Sequence, residues 1–319
     1  MKNVDFLTQD MAYLKIENTF ISKESILKTS RTRWGIFYML IGILSFAISN
    51  VFVKTASLYY PLGEMVILRG IIFLIPWAFY LILSYHKNIK TILFTRHINI
   101  HILQGILSAF CLYFLFYAFK VMPLSDATAV SFAETFILTI LAIPFLKEHV
   151  QKQTWSAIIA GFLGVVLVTQ PNVITSNFHL TGTLSCLLAV TFDAIVLLSL
   201  RKIGQIDSAL TIITYYTLFS TLGGILFLPF EVWVPITHSH LWDITGLGVF
   251  GAFGQIFLTL AFQRTTAGTL APLIYTMLIW SLLFDEVIWG HWPSLSVIGG
   301  ATIIILSGLY VIQKDKSIK

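Results

Sequence analysis

The feature that most constrains the fold is a succession of long apolar segments joined by short polar connections. A helix needs roughly 20 apolar residues to cross about 30 Å of hydrocarbon, and the segments have about that length. They occupy approximately residues 35–55, 61–84, 98–119, 126–146, 153–170, 180–201, 208–230, 241–263, 267–286 and 293–312. We therefore expect an all-α membrane protein with ten transmembrane helices.

Composition excludes the soluble classes of protein. Of 319 residues, 57% are hydrophobic and 11% are charged, whereas about a quarter of a soluble domain is charged. The only long polar stretch, residues 1–33, has no apolar core typical of a cleaved secretion signal, and it is interpreted as a cytoplasmic tail. The net charge of +5 is better explained by membrane topology than by binding to nucleic acid, so no nucleic-acid partner is expected.

Flanking positive charges predict the orientation, because Lys and Arg are retained on the cytoplasmic side of a membrane. With the N-terminus inside, fifteen Lys and Arg residues fall on that side, whereas only Lys54 and Lys120 fall on the other. Both termini are therefore expected in the cytoplasm, and the bilayer is expected to be a bacterial inner membrane.

The chain also resembles itself. At an offset of 147 residues, Gly35 aligns with Gly182 and Lys54 with Arg201. Further matches follow at offsets of 143 and 138, such as Gly105 with Gly248 and Glu148 with Glu286. The collinear order predicts two five-helix repeats, residues 34–172 and 180–312, followed by a cytoplasmic tail at 313–319. Because five is odd, the repeats must be inverted, which is typical of transporters with a mid-membrane site.

Several short motifs strengthen this interpretation: Asn50 to Lys54, Pro61 through Arg69, Ala118-Phe119, Ser125-Asp126-Ala127, Phe145 to Glu148, Ala261 to Arg264, Ala271-Pro272, Tyr275-Thr276, Leu283 to Glu286 and Gly299-Gly300. With these motifs the sequence resembles the EamA branch of the drug/metabolite transporter (DMT) superfamily. The resemblance implies ten helices, a central cavity and transport of a small metabolite, often an amino acid or related compound. Within that branch the sequence is most similar to members that take up S-adenosylmethionine.

One spacing departs from the family pattern. Ala118 and Glu148 are 30 residues apart, whereas Ala261 and Glu286 are 25 apart. We therefore expect a ninth span that is short or distorted at its outer end, with Asp285 and Glu286 near the interface.

Ionisable groups inside a span are expected to face the bundle interior or a water-filled cavity, because hydrocarbon is a costly environment for charge. Arg69 and Glu134 lie at similar depth, and Asp193 lies near the midplane. Arg69 could clamp a substrate carboxylate, and Glu134 could hold a substrate amine or a coupling proton. The alternative is an ion pair between Arg69 and Glu134 that only satisfies two buried charges. For Asp193, water reaching the group from the inner side is equally compatible with the sequence.

Polar and aromatic residues at span depth complete the predicted substrate site, since a ligand site is typically apolar with a few convergent polar groups. They are Asn50, Tyr113, Tyr275 and Trp280, with Tyr117 and Gln255 as further candidates. The alternative for each is packing against lipid or a neighbouring helix.

The sequence is thus interpreted as a secondary transporter that works by alternating access, and not as an enzyme. A passive channel, a structural membrane subunit and a lipid-modifying enzyme remain alternatives. No cofactor or metal is expected, because the histidines have no cysteine or carboxylate companions at matching depth. The expected partners are a small-molecule substrate and the lipid bilayer. Substrate identity, direction, a coupling proton or ion and the oligomeric state stay open.

Overall fold

A computed structural model describes residues 32–85, 93–146, 152–173, 177–203, 206–264, 270 and 273–316. Within these ranges the chain is helical and contains no β-strand. The α-helices are α1 Thr32–Ala56, α2 Leu62–Tyr85, α3 Ile98–Val121, α4 Leu124–Ser131, α5 Glu134–Leu146, α6 Lys152–Val173, α7 Asn177–Ile203, α8 Ala209–Gly224, α9 Leu241–Arg264, α10 Thr276–Trp289 and α11 Leu295–Lys316. Two 3₁₀-helices, Ile225–Phe230 and His238–His240, connect α8 to α9.

Seven helical segments in the described part of the chain are long and apolar enough to cross a membrane. They are Thr32–Ala56, Leu62–Leu83, Ile98–Val121, Leu124–Phe145, Leu180–Leu200, Leu210–Phe230 and His238–Phe262. Shorter apolar stretches follow within α6 and α11. Large apolar side chains such as Phe79, Ile279 and Leu306 are 65%, 63% and 62% exposed, as lipid-facing residues would be. The chain is therefore a multi-pass membrane protein, while ten spans remain a prediction.

The helices pack in a small number of close pairs. α3 packs on α7 and α8, α2 packs on α8 and α9, α6 on α11, and α4 on α10. α1 lies along α9, where the Ser49 hydroxyl donates to the carbonyl of Leu247 at 2.8 Å. Glycines allow some of these pairs to approach closely: a Cβ atom at Gly105 would lie 2.6 Å from the backbone of Phe219, and one at Gly300 would lie 2.5 Å from the Gly164 carbonyl.

The two ends of the bundle are named by residues that lie there. At the Asp285 end, α1, α3 and α10 finish and α4 and α9 begin. At the Asp207 end, α7 meets α8 beside the start of α3. Consecutive long helices therefore run in alternate directions, as the short connections of the sequence predict.

Two helical segments are interrupted. Between α4 and α5, at Phe132 and Ala133, the backbone changes to the tighter i→i+3 pattern: the Phe132 amide bonds to Ala129 and the Thr135 amide to Phe132, both at 3.3 Å. In the other segment, a turn at Tyr275 precedes α10. The rings of Phe132 and Tyr275 are in edge contact, with centroids 4.9 Å apart. The two interruptions therefore meet inside the bundle.

The ninth predicted span was expected to be short or distorted at its outer end, but its irregularity lies near the opposite end. α10 has only 14 residues, but it runs regularly to Trp289 and ends at Gly290, whose φ of 64° is the left-handed conformation that glycine adopts freely. The turn lies at Tyr275, near the opposite end of the segment, and residues 265–269 and 271–272 lie outside the described ranges. Asp285 is fully buried at its end of the bundle, where its carboxylate accepts backbone hydrogen bonds from the start of α4. Its position near the membrane interface remains a prediction.

Candidate functional site

A small cavity of about 30 Å³, partly open to the outside, lies between α2, α3, α8 and α9. Its lining residues are Val66, Arg69, Gly70, Phe73, Leu112, Tyr216, Thr217, Ser220, Gly251, Ala252 and Gln255. Gly251 leaves room for the guanidinium group, because a Cβ atom there would lie 2.7 Å from Nε of Arg69. The lining therefore combines small and apolar residues with a few polar groups, which is typical of a ligand site.

Arg69 is the cationic group of this cavity. The side chain is surrounded by protein yet keeps part of its surface accessible, and among the described residues no hydrogen bond or salt bridge to it is found. Tyr216 of α8 and Cys111 of α3 are within electrostatic reach of the guanidinium. An arginine in such a site has its donors free for an anionic group of a ligand.

Tyr216 was not singled out by the sequence analysis. It occupies the position of Arg69 at the repeat offset of 147 residues, so the repeat itself contains the signal that could have identified it. Tyr216 lines the cavity, neighbours Ser108 of α3 and interacts electrostatically with both Arg69 and Asp193. Tyr216 therefore lies between Arg69 and Asp193.

The acidic part consists of Glu134, the first residue of α5, and Asp193 in the middle of α7. The two carboxyl groups are close enough for their charges to interact. Both also lie within electrostatic reach of Cys111, which in turn is near Arg69. Each carboxyl group is surrounded by protein but partly accessible, and no described residue forms a hydrogen bond or salt bridge with either.

Three predicted site residues are thus brought together around Cys111: Arg69, Glu134 and Asp193. The salt bridges among the described residues join Lys54 to Asp285, His101 to Asp207 and His240 to Asp243, and none joins Arg69 to Glu134. The charged group that interacts with Glu134 is Asp193 instead. A structural ion pair between Arg69 and Glu134 is therefore not found in the part of the chain that the structure describes.

Of the seven predicted site residues, only Arg69 lines this cavity; Glu134 and Asp193 do not, and neither do the other four. Asn50 lies in α1, and Tyr113 stacks on Phe227 with ring centroids 4.1 Å apart. Tyr275 packs against Phe132, and Trp280 packs on the apolar contact between α1 and α9. A substrate contact for these four residues remains a prediction.

A second charged group, the Asp285 cluster, lies at the end of the bundle that carries its name. Its carboxylate accepts hydrogen bonds from the amides of Leu124 at 3.1 Å and Ser125 at 2.7 Å, the first two residues of α4. The Lys54 ammonium lies 3.6 Å from the same carboxylate and 4.6 Å from the ring centre of Trp289. The cluster is defined here as Lys54, Leu124, Ser125, Asp285 and Trp289. It joins α1 and α4 to α10 with paired charges.

A smaller contact, between Asp207, His101 and Thr95, lies at the Asp207 end. Nε2 of His101 is 2.8 Å from the Asp207 carboxylate, to which the Thr95 hydroxyl also donates at 2.7 Å. Burial alone would raise the pKa of Asp207, but the hydrogen bonds from Thr95 and His101 outweigh it and lower that pKa below its usual value. This contact ties the connection between α7 and α8 to the start of α3.

Comparison of the sequence with models of known protein families identifies the family of this helical membrane protein. The sequence model of the EamA-like transporter family matches residues 33–170 and again residues 180–313. The chain belongs to the EamA-like transporter family, within the DMT superfamily.

Individual relatives cover almost the whole chain. An S-adenosylmethionine uptake transporter of Rickettsia prowazekii (strain Madrid E) is 28% identical over 285 residues, which cover 88% of this chain and 93% of the relative. A pseudopaline exporter of Pseudomonas aeruginosa is 23% identical over 88% of this chain and 97% of the exporter. A human protein, solute carrier family 35 member G1, is 26% identical over 86% of this chain and 78% of its own length.

The fold is also similar to that of a protein of known crystal structure. The superposition has a TM-score of 0.60 at 15% sequence identity and covers 89% of this chain and 97% of the other. At this identity the likeness concerns the fold alone.

Proposed function

We propose that this protein is a secondary transporter that moves a small metabolite, an amino acid or related compound such as S-adenosylmethionine, by alternating access. The observation that carries the proposal is Arg69, which has no hydrogen-bond or salt-bridge partner among the described residues and lines a cavity formed by helices of both halves. A buried charge without a protein partner is costly unless a ligand, a proton or water compensates it. The named uptake transporter and exporter among the relatives support a small-molecule substrate.

The proposed architecture is ten spans in two inverted repeats, residues 34–172 and 180–312. The double match of one family model supports this arrangement. The helix contacts support it as well: if α1–α3 are exchanged with α7–α9, the contact of α1 with α9 becomes that of α7 with α3, and α2 with α9 becomes α8 with α3.

Individual residue contacts obey the same exchange. Tyr38 stacks on Phe257 with ring centroids 5.9 Å apart. The positions that correspond at offsets of 147 and 143 are Ser185 and Phe114, and the Ser185 hydroxyl donates to the Phe114 carbonyl at 2.8 Å. Such paired contacts are expected when two halves are related by a pseudo-two-fold axis in the membrane plane.

Alternating access would require contacts that open at one end while the other end stays closed. The Asp285 cluster connects the first half, through Lys54 and α4, to α10 of the second half. The His101 and Asp207 contact connects the two halves at the opposite end. The interruptions at Phe132 and Tyr275, which touch between the halves, are proposed as the points where the segments bend.

The proposed orientation has both termini in the cytoplasm of a bacterium and the Asp285 end outside. An impermeant thiol reagent should label a cysteine introduced at Ser176 in intact cells, whereas one at Ser317 should be protected. Both positions lie outside the described residues. The reverse labelling pattern would contradict the orientation.

Counterflow into proteoliposomes that contain the purified protein tests the function. Saturable exchange of labelled S-adenosylmethionine or amino acids is expected. Linear flux without saturation would favour a passive channel, and chemical turnover of lipid would favour an enzyme. A pH gradient that drives accumulation, and loses this effect in Glu134→Gln while counterflow survives, would assign a coupling proton to Glu134.

A further inference from the structure

One face of α3 carries a row of buried polar side chains. They are His101, Gln104 and Ser108, whose exposed fractions are 0%, 1% and 1%. Their spacing of three and four residues places them one above the other on the helix, and Leu112, four residues further on, lines the cavity. At 1.5 Å per residue, this polar row and Leu112 extend about 16 Å, from the Asp207 end of the bundle to the cavity.

Most polar atoms of the row have no partner. Both polar side-chain atoms of Gln104, the Ser108 hydroxyl and Nδ1 of His101 form no hydrogen bond within the described part of the chain. Nε2 of His101 is paired, with the Asp207 carboxylate at 2.8 Å. Most buried polar groups in folded proteins are paired, and an unpaired amide or hydroxyl is costly, so three consecutive positions of this kind require an explanation.

The packing of α3 does not provide that explanation. Against α8, α3 uses Gly105, where a Cβ atom would lie 2.6 Å from the backbone of Phe219. Against α7, it uses Phe110, whose ring centre lies 5.6 Å from that of Phe192. Both contacts are made by small or aromatic residues, and neither of them uses the amide of Gln104.

We infer that the polar row of α3 lines the half of the solute pathway between the cavity and the Asp207 end, and that the contact of His101 with Asp207 closes this half. The inference rests on the proposed function and adds the wall and the closing contact of one half of the pathway. When the contact opens, water and the solute reach Gln104 and Ser108 and supply the hydrogen bonds that the protein does not.

The chemistry of the row suits passage of a polar solute. The amide of Gln104 and the hydroxyl of Ser108 can each donate and accept hydrogen bonds, and neither carries a charge. A pathway must bind its solute well enough for entry and weakly enough for release. A solute that leaves the guanidinium of Arg69 can therefore exchange one hydrogen bond for another along α3 without meeting a second strong site.

Thiol labelling tests whether this face opens. Ser108→Cys and Gln104→Cys are compared with Leu103→Cys, which lies beside Gln104 on a face that is 50% exposed, as a lipid-facing side chain would be. The full-length proteins are placed in nanodiscs, where a charged methanethiosulfonate reagent reaches both ends, and labelling of the unsubstituted protein is subtracted. Both variants should react about 10-fold or more faster than Leu103→Cys, because a thiol in lipid stays protonated and the thiolate is the reactive form.

A second substitution tests the closing contact. Asp207→Asn removes the charge from the hydrogen bond to His101 and should raise the labelling rate of Ser108→Cys about 10-fold, because it shifts the equilibrium toward the open form. The matched control is Asp243→Asn, the same change at a carboxylate 3.6 Å from His240 near the opposite end, and it should leave the rate unchanged.

Counterflow connects the opening to transport. Exchange of labelled S-adenosylmethionine or labelled amino acids is measured in proteoliposomes before and after modification with the same reagent. Modification should abolish the exchange that Ser108→Cys shows beforehand, because the added group fills the pathway. Modification of Leu103→Cys should leave exchange as it was.

The inference is overturned if neither cysteine reacts faster than Leu103→Cys, even together with Asp207→Asn, because the face would then be a permanent packing contact. It is also overturned if both cysteines stay unreactive while an enclosed pH indicator records a proton flux that Ser108→Ala abolishes, since the row would then conduct protons and not the solute. Exchange that is insensitive to labelling at Ser108→Cys refutes the inference alone. Absence of exchange in the unsubstituted protein refutes the proposed function as well.

Discussion

The Asp285 cluster and the central cavity both hold charge inside the helix bundle, but they treat it differently. The Asp285 carboxylate is surrounded by two backbone amides and the Lys54 ammonium. Arg69 and Asp193 have no hydrogen-bond or salt-bridge partner among the described residues. Because a buried charge needs compensation, the first site is complete within the protein, whereas we propose that a bound solute completes the second. The contrast distinguishes a contact that holds helices together from a site for a ligand.

The largest effect is expected at the Asp285 cluster. Asp285→Asn should lower the free energy of unfolding by about 3 to 5 kcal/mol, because it removes the carboxylate that pairs with the mostly buried Lys54 ammonium and presents an amide donor to the backbone donors of α4. Unfolding in mixed detergent micelles measures the change. Asp243→Asn, at a carboxylate that is 24% exposed, should cost less than about 1 kcal/mol.

A double variant sharpens this test. Lys54→Met combined with Asp285→Asn should recover part of the lost stability, since it removes the stranded charge. Equal losses of stability for the Asp285 and Asp243 variants would show that the cluster is no different from an ordinary surface pair. The cluster could then not be regarded as a contact that holds the helices together.

The second prediction concerns Arg69. Arg69→Gln should reduce the transport rate at low substrate concentration on the order of 100-fold, because a charged group of the substrate loses its partner. The unfolding free energy should hardly change, since no protein group is left unpaired. Arg264→Gln provides a matched arginine, which lies 4.5 Å from the ring centre of Tyr38 and away from the cavity. If Arg69→Gln unfolds as easily as Asp285→Asn, Arg69 is a structural residue.

Two threonines allow the same comparison, between a polar group with a protein partner and one without, to be made with uncharged side chains. Thr128 exchanges a hydrogen bond of 2.8 Å with Ser281, whereas the Thr217 hydroxyl lines the cavity without a partner. Thr128→Val should destabilise the protein by about 1 kcal/mol. Thr217→Val should leave stability unchanged and weaken substrate binding about five-fold, the size of one net hydrogen bond. Loss of stability in both variants would mean that Thr217 has a protein partner after all.

The same contrast explains what the sequence could predict. The apolar segments and the positions of Arg69, Glu134 and Asp193 follow from the cost of charge in hydrocarbon, which acts on each helix separately. Whether those residues form ion pairs depends on how the helices pack against one another. The sequence therefore could not decide whether Arg69 and Glu134 pair. The burial of Asp285 under the start of α4 could not be predicted, because nothing in α10 alone indicates that contact.

The interruption of the helix at Phe132 and Ala133 shows a further limit. No glycine or proline lies at these two positions, and glycine and proline are the usual local signals for a break. The change in backbone pattern coincides instead with the contact between Phe132 and Tyr275, which belongs to the tertiary structure. By contrast, Tyr216 could have been predicted from the sequence, because the repeat offset aligns it with Arg69.

The smallest effect is expected at the Asp207 end, where the carboxylate is paired but lies closer to water. Hydrogen bonds from Thr95 and His101 hold the pKa of Asp207 below its value in the unfolded chain, which is about 4. The stability that this group contributes is therefore fully present above about pH 4 and is lost as the pH falls through the lower pKa of the folded protein. Asp207→Asn should reduce the steepness with which the unfolding free energy falls below about pH 4, relative to the unsubstituted protein. Thr95→Val removes one of the two hydrogen bonds to the carboxylate and should produce part of the same change. Identical pH profiles for all three proteins would mean that the contact adds nothing to the closure of this end, and that only the Asp285 end is held by charge.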